Sequence, residues 1–309
     1  MELRWLQSFV AMYEEGSVSQ AGRRLNIVQP AISTQLAKLE SELGNPLFQR
    51  TPRGLVPTRA GHEAYRLFLP ILRSIEDARQ DLTAPRNTVK GHVAVGVVAS
   101  VAHTALSETL IAFSAKYPHV TLRMTDGYTR ELLQMQRAGQ LDLVVINALA
   151  RRGEYQQIDL ICEEFALICS AAGPVPEGEV SFRSIDHHEL VIPSPRHGLR
   201  TLLDEAAERE GTRLSPRYEF DEIGMIERFV AGTGLRTILP PVAVAHSLRA
   251  GTLRCVPVSP PIMRHIVGVH HATRPLSRAA TVFVTELRRR LLAVQQELTA
   301  QDAAVRERP

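Results

Sequence analysis

The first sixty residues are interrupted at regular intervals by helix-ending and helix-starting signals, and this constrains the chain more than any other feature. Leu3, Leu6, Phe9, Val10 and Tyr13 recur at steps of three and four, which sets them on one face of a helix. Gly16 stops that helix. Ser17 and Ser19 can cap a second, whose apolar side is Ala21, Leu25 and Ile27, with the turn-prone Asn26 near its end. A third begins at Gln29-Pro30, where a proline at the first helical position loses no internal hydrogen bond. It runs through Ile32, Leu36, Leu39 and Leu43 and ends at Gly44, a residue suited to a left-handed C-terminal cap. Two short helices around a tight turn, the second presenting Ser33, Thr34, Gln35 and Lys38, read as a helix-turn-helix. Pro46 to Thr58 follows as two extended pieces about a Thr51-Pro52-Arg53-Gly54 turn, a small β-wing.

From Thr58 to about Leu82 the residues Ala60, Ala64, Leu67, Ile71, Ile75, Ala78 and Leu82 keep helical steps, the pattern of a long helix with an apolar stripe. Pro70 falls inside it, and an interior proline costs about 3 kcal/mol, so a bend or break is expected near Leu69. Thr83 to Lys90 reads as a connecting hinge. The remaining two-thirds alternates strands with helices, an α/β architecture. Strands are expected at Val93–Val98, Val120–Met124, Leu143–Ile146, Phe165–Cys169, Leu190–Ile192, Arg217–Phe220, Thr237–Leu239 and Ile266–Val269. Helices are expected around Ala105–Ala115, Arg130–Arg137, Leu199–Arg209, Met225–Ala231, Val242–Leu248 and Ala279–Leu298, with a frayed polar tail from Ala300.

Composition removes several classes. With 309 residues, more than one domain is expected; 44% hydrophobic and 22% charged residues describe a globular chain rather than a disordered one. No apolar run reaches the roughly 18–20 residues of a membrane span. No basic segment leads into an apolar one at the N-terminus, so no secretory signal is read and a cytoplasmic location is expected. Cys162, Cys169 and Cys255 match no zinc spacing and are expected as reduced core thiols. The net charge of +3 implies little, but Pro46 to Arg59 holds Arg50, Arg53 and Arg59 with no acid.

The stretch from Phe9 to Gly61 resembles the winged helix-turn-helix of the LysR-type transcriptional regulators. The residues that carry the resemblance are Gly16-Ser17, Ala21-Gly22, Leu25, Gln29-Pro30-Ala31-Ile32-Ser33, Leu39-Glu40, Leu43-Gly44, Pro46-Leu47-Phe48, Arg50 and Pro57-Thr58-Arg59-Ala60-Gly61. One departure is Val28, where the family usually has a small polar residue. The order of the later elements, with Gly139-Gln140-Leu141-Asp142 before a strand and Val230-Ala231-Gly232-Thr233-Gly234 leading to Leu239-Pro240, resembles the family's effector domain.

The resemblance implies an N-terminal all-α winged helix-turn-helix with a long linker helix, and a C-terminal α/β effector domain of two Rossmann-like subdomains, like a type 2 periplasmic binding protein. Expected boundaries are 1–58 for the DNA-binding domain and 59–90 for the dimerising linker helix and hinge. The effector domain is expected at 91–309, with subdomain I about 91–163 and 265–309 and subdomain II about 164–264, and crossings near Glu163–Glu164 and Pro261–His265. The implied function is a bacterial transcriptional regulator, not an enzyme, bound to double-stranded promoter DNA as a homodimer or homotetramer. It would switch DNA geometry on taking up a small-molecule effector, with no cofactor, with RNA polymerase as a further partner, without a membrane and within the nucleoid. Its operator would be a partial palindrome with half-sites about one helical turn apart.

Short polar and amide side chains near the N-terminal half of a recognition helix read base edges, which makes Gln29, Ser33, Thr34 and Gln35 candidates, with Pro30 against a thymine methyl. Lys38, Arg50 and Arg53 suit phosphates or the minor groove. For the effector, three junctions before helices offer N-termini to an anion: Ala99-Ser100-Val101, Gly127-Tyr128-Thr129, and Ser194 to Leu199 with Arg196 and His197. By resemblance Ser100, Thr129 and Asn147 line the pocket; Val101, Tyr128, His197 and Ile223 complete the candidate set. Arg196 and Arg200 with these N-termini favour a carboxylate or sulfonate.

Enzyme chemistry finds little footing. Gly232-Thr233-Gly234 lacks the strand–loop–helix setting of a nucleotide loop, no Gly-x-Ser-x-Gly elbow is present, and His187-His188 and His270-His271 have no metal-ligand spacing. Three alternatives stay open: a regulator without a diffusible ligand, one sensing redox state through Cys162 or Cys169, and a cytoplasmic solute-binding protein or enzyme carrying a vestigial helix-turn-helix.

Overall fold

A computed structural model describes residues 1–51, 54–83, 88–151 and 153–306. The chain forms two compact units, one of Met1–His92 with Arg137–Gln140, the other of Val93–Gln136 with Leu141–Pro309.

In the first unit, α1 (Leu3–Glu15), α2 (Val18–Leu25) and α3 (Gln29–Leu43) lead to a two-stranded wing, β1 (Phe48–Thr51) and β2 (Gly54–Pro57), and to α4 (Arg59–Thr83). Gly16 and Gly44 close α1 and α3 at φ 61° and 66°, the left-handed conformation that glycine takes without steric cost. The Ser17 hydroxyl caps α2, and Asn26 ends it at φ 54°. Val28 gives α3 no side-chain cap. Phe9 is fully buried, its ring 5.5 Å from Phe48 and 6.0 Å from Phe68, with Ile32, Leu39 and Leu47 completing the core. Glu40 fastens the wing to α3, its Oε1 accepting from the Leu47 N–H at 2.6 Å and the Phe48 N–H at 3.3 Å.

The break expected at Leu69 does not occur, since α4 is helical through Pro70. Phe68 is buried and Leu69 and Leu72 are partly buried against the same apolar core, so packing on both sides of the proline offsets the missing hydrogen bond. The stripe divides. Ala60 and Ala64 face this core, whereas Leu67, Ile71, Ile75 and Leu82 are exposed, Leu82 by 87%.

The second unit begins with β3 (Gly91–Val97), α5 (Ala99–Val101), a π-helical turn at Ala102–Leu106, α6 (Ser107–Lys116), β4 (Val120–Asp126), α7 (Thr129–Arg137), β5 (Leu143–Asn147) and β6 (Tyr155–Glu164). The chain continues as β7 (Ala166–Ser170), β8 (Val180–Ser181), β9 (Val191–Pro193), α8 (Gly198–Arg209), β10 (Tyr218–Phe220), α9 (Ile223–Gly232), β11 (Thr237–Leu239), α10 (Ala245–Arg249) and β12 (Leu253–Ser259). It closes with β13 (Met263–His271) and α11 (Arg278–Arg306). One sheet has the order β4-β3-β5-β13-β6, the other β11-β7-β12-β8. A parallel bridge from Leu190 to Arg236 extends the second sheet to the β9–β10 pair. The chain passes between sheets at 164–166 and returns at 259–263.

Three expectations fall short. Strands β6, β8 and β12 are not among those expected. The β6 burial pattern follows no simple alternation, because its ladder with β13 is irregular between Ile266 and Val267, and β12 carries Arg254 and Pro257. The expected Val242–Leu248 helix is a 3-10 turn at Pro241–Val244 followed by α10. The tail is helical to Arg306 rather than frayed.

Candidate functional site

α3 offers one face to the core and one to solvent. Ile32 and Leu39 are buried, while Gln29, Pro30, Thr34, Ala37, Lys38 and Ser41 are exposed at three- and four-residue steps. Of the predicted base readers, Gln29, Pro30 and Thr34 stand on that exposed face; the Thr34 hydroxyl donates to the Pro30 carbonyl at 2.9 Å. Ser33 is half-buried. Gln35 is half-buried too, and its Oε1 accepts from the buried Ser8 hydroxyl at 2.5 Å, so it ties α3 to α1. The Lys38 ammonium lies 5.8 Å from the centre of the Trp5 ring. Arg50 is on β1 opposite Leu55, its side chain outside the described residues, and Arg53 lies outside them altogether. Arg23, exposed in the last turn of α2, and Val28, 71% exposed, were not among the candidates.

In the second unit a cavity of about 200 Å³ opens between the two sheets' helix-bearing ends. Of the predicted effector residues, Tyr128, Thr129 and His197 line it, together with Asp126, Gly198 and Asp221. The other candidates do not reach it. Ser100, Val101 and Ile223 are buried, and Asn147 is engaged beneath the cavity.

The engagement is a buried polar cluster across adjacent strands. Arg264 of β13 is 1% exposed and stands opposite Glu163 of β6 in the ladder. Its Nη1 donates to Glu163 Oε1 at 3.2 Å, its Nε to Asn147 Oδ1 at 2.9 Å and its Nη2 to Ser100 Oγ at 2.5 Å. Burial pulls the guanidinium down from its ordinary value and pushes the Glu163 carboxyl up, while their mutual attraction opposes both. Glu163 Oε2 is buried without a hydrogen-bond partner among the described residues.

His197 is 5% exposed and precedes α8, where its Nδ1 accepts from the Leu199 N–H at 3.2 Å. That bond leaves the ring proton on Nε2. Burial, reinforced by Arg264, lowers His197 to about 4, so the imidazole is neutral at pH 7. Gly198 permits a close approach: a Cβ there would lie 3.0 Å from Asn147 Nδ2 and 3.8 Å from Thr129 Oγ1. Asp221 accepts from the Ser194 hydroxyl and faces the Tyr128 hydroxyl, and these contacts hold its carboxyl below the usual range.

The two arginines that favoured an anion are already committed. Arg200 is buried and pairs with Glu219 and with Asp204 at 2.8 Å. The Arg196 guanidinium lies 4.7 Å from the Tyr128 ring centre and 3.8 Å from Glu131. Asp126 and Asp221 are absent from the sequence candidates, although Asp126 ends β4 and Asp221 follows β10, each just before a helix, the same kind of junction that singles out Ser100.

A second cavity, about 370 Å³, lies at the strand crossings between Cys162, Phe165, Val242, Cys255, Met263 and Leu298, and none of the predicted site residues reaches it. Of the three cysteines only Cys169 is a buried thiol; Cys162 is exposed and Cys255 half-buried. Desolvation raises Cys162, with the Glu163 and Glu164 charges adding to it, and burial raises Cys169.

Both halves of the chain match known families. The LysR substrate binding domain covers residues 86–292, and the bacterial regulatory helix-turn-helix protein, lysR family, covers 3–62. The transcriptional regulator CzcR of Bacillus thuringiensis is 30% identical over 257 residues, 82% of this chain and 85% of its own. The nitrogen assimilation regulatory protein nac of Klebsiella aerogenes is 28% identical over 277 residues, 89% and 90% respectively. Among solved structures, a cysteine-to-aspartate variant of full-length OxyR from Pseudomonas aeruginosa has a TM-score of 0.72 at 22% identity, covering 93% of this chain and 98% of its own. Full-length CbnR in complex with its target DNA has a TM-score of 0.53 at 20% identity, covering 94% and 100%. The chain therefore belongs to the LysR family of transcriptional regulators, with a helix-turn-helix DNA-binding domain followed by an α/β substrate-binding domain.

Proposed function

We propose that this regulator binds promoter DNA as a homo-oligomer, with α3 in the major groove, and responds to a small molecule held in the cavity beside Tyr128, Thr129 and His197. The carrying observation is the exposed row Gln29, Pro30, Thr34 and Lys38 on a helix whose other face is fixed by Phe9, Ile32 and Leu39. CbnR, which shares the fold, was solved on DNA. In this reading residues 1–58 bind DNA, with Ser33, Arg50 and Arg53 flanking the base readers and Gln35 orienting the helix. Residues 59–90 dimerise through Leu67, Ile71, Ile75 and Leu82. Residues 91–309 hold the effector, with subdomain I about 91–163 and 265–309 and subdomain II about 164–264. Ser100 and Asn147 act through Arg264 rather than by touching the ligand, and Val101 and Ile223 act by packing. The protein works in the cytoplasm, on the nucleoid, with RNA polymerase as a partner and no catalytic step. Among the described residues no helix is long and apolar enough to cross a membrane.

The test is a footprint on the DNA upstream of the protein's own gene. A long, interrupted palindromic protection is expected, and no protection at low salt overturns the reading. Gln29→Ala should change sequence preference, by about 1–3 kcal/mol at one base pair, whereas Lys38→Ala should weaken all sequences alike and lower the salt slope by about one. The redox reading is disfavoured by the raised thiols of Cys162 and Cys169, since the thiolate is the reactive form.

A further inference from the structure

The charge pattern around the cavity is mixed, and it narrows the class of effector. Asp126, Asp221 and Glu222 all line it. Asp221 is taken up by Ser194, and Arg196 lies near it and near Glu131. Asp126 is exposed at the mouth and, among the described residues, has no hydrogen-bond or ion-pair partner. A bare anion would meet this carboxylate with nothing to neutralise it.

The helix starts beside His197 have the reverse character, although the Asp221 carboxylate acts on His197 as well. His197 is 95% buried, its Nδ1 is used by the Leu199 N–H, and its Nε2–H reaches the cavity with no partner among the described residues. Beside it are Thr129 and Gly198, the first residues of α7 and α8, whose N–H groups lack partners within their helices. Arg264 lies near enough to His197 to act on its charge. A bare cation would leave these donors unused, and an unmet buried donor costs about 1–3 kcal/mol.

We infer that the effector is a small zwitterion, with a cationic nitrogen at Asp126 and a carboxylate-like oxygen pair at His197 Nε2 and the N-termini of α7 and α8. This rests on the proposal that the cavity is the effector site. At about 200 Å³ the space lies below the range of about 300–1,000 Å³ of drug-sized pockets, which suits a ligand of amino-acid size. Specificity follows from the separation of charges. An acid without the nitrogen loses its partner at Asp126, and an amine without the carboxylate leaves His197 unmet.

The test is titration calorimetry on the full-length protein with the common L-amino acids, each beside the acid lacking its amino group and the amine lacking its carboxyl. At least one amino acid should bind about tenfold or more tightly than both of its matched partners. Asp126→Asn and His197→Phe should each weaken that binding by about tenfold or more, and His197→Gln, which keeps a donor, should restore part of it. Circular dichroism checks that the variants fold. Tightest binding by an acid or an amine, or no binding by any amino acid at about 10 mM, overturns the inference. Thr129→Trp, which fills the cavity, separates the two claims. If it abolishes binding of an acid or amine, the cavity is the effector site and the zwitterion is wrong; if it leaves any ligand's binding intact, the cavity itself is not the site.

Discussion

The interior beneath α3 and the interior beneath the cavity at His197 are built on opposite principles. Under α3 the contacts are apolar, from Phe9, Ile32, Leu39 and Phe68, and the buried Ser8 hydroxyl needs a single acceptor, Gln35. Under the cavity Arg264 donates to Glu163, Asn147 and Ser100 at 2.5–3.2 Å, with Glu163 Oε2 left over. Apolar burial is non-directional and is lost in proportion to the volume removed, whereas a buried ion pair fails as soon as one member is gone. The same chain thus places a forgiving core under α3 and an exacting one under the cavity beside His197.

That contrast can be broken by experiment. Arg264→Met should cost about 3–5 kcal/mol in denaturant unfolding, because it strands a buried carboxylate. The Arg264→Met/Glu163→Leu double variant should recover most of it, and a double variant as unstable as the single one would mean the cluster is not acting as a pair. Phe9→Ala should cost a similar 3–5 kcal/mol, while Ile32→Val, in the same core, should cost only about 0.5–1.5.

Proton linkage gives a smaller effect confined to the second unit. His197 is lowered to about 4 in the folded chain, so the unfolded chain takes up the proton first. Stability should be flat above about pH 6.5 and fall as pH drops from there towards 4, by up to about 3 kcal/mol. His197→Gln should flatten that slope; an unchanged slope would place the titration elsewhere. An effect as small as that of Ile32→Val is expected from Gly198→Ala, whose methyl would sit 3.0 Å from Asn147 Nδ2 and cost about 1 kcal/mol, read as a few degrees in Tm.

These two interiors also explain what could be read from the sequence. The helices α1 to α3 follow from apolar spacing and from Gly16, Asn26 and Gly44, because each signal acts within a few residues. Gln29, Pro30, Thr34 and Lys38 follow from the same spacing, as the face left over. The cavity is less legible. Tyr128, Thr129 and His197 were found from strand-to-helix junctions, but Ser100 and Asn147 were assigned to the ligand when their side chains serve Arg264, which is more than a hundred residues from either. Arg264 itself carries no local signal. A charged residue between Met263 and His265 reads as an exposed strand end, and only the pairing of β13 with β6 buries it. The unbroken α4 teaches the reverse lesson, since a local rule about Pro70 yields to packing on both of its sides.

The Arg264–Glu163 pair joins the two strands by which the chain leaves one sheet and returns from the other. One guanidinium thus fastens the outgoing connection to the returning one, so the two crossings are held at a single buried point and removing Arg264 would untie both at once.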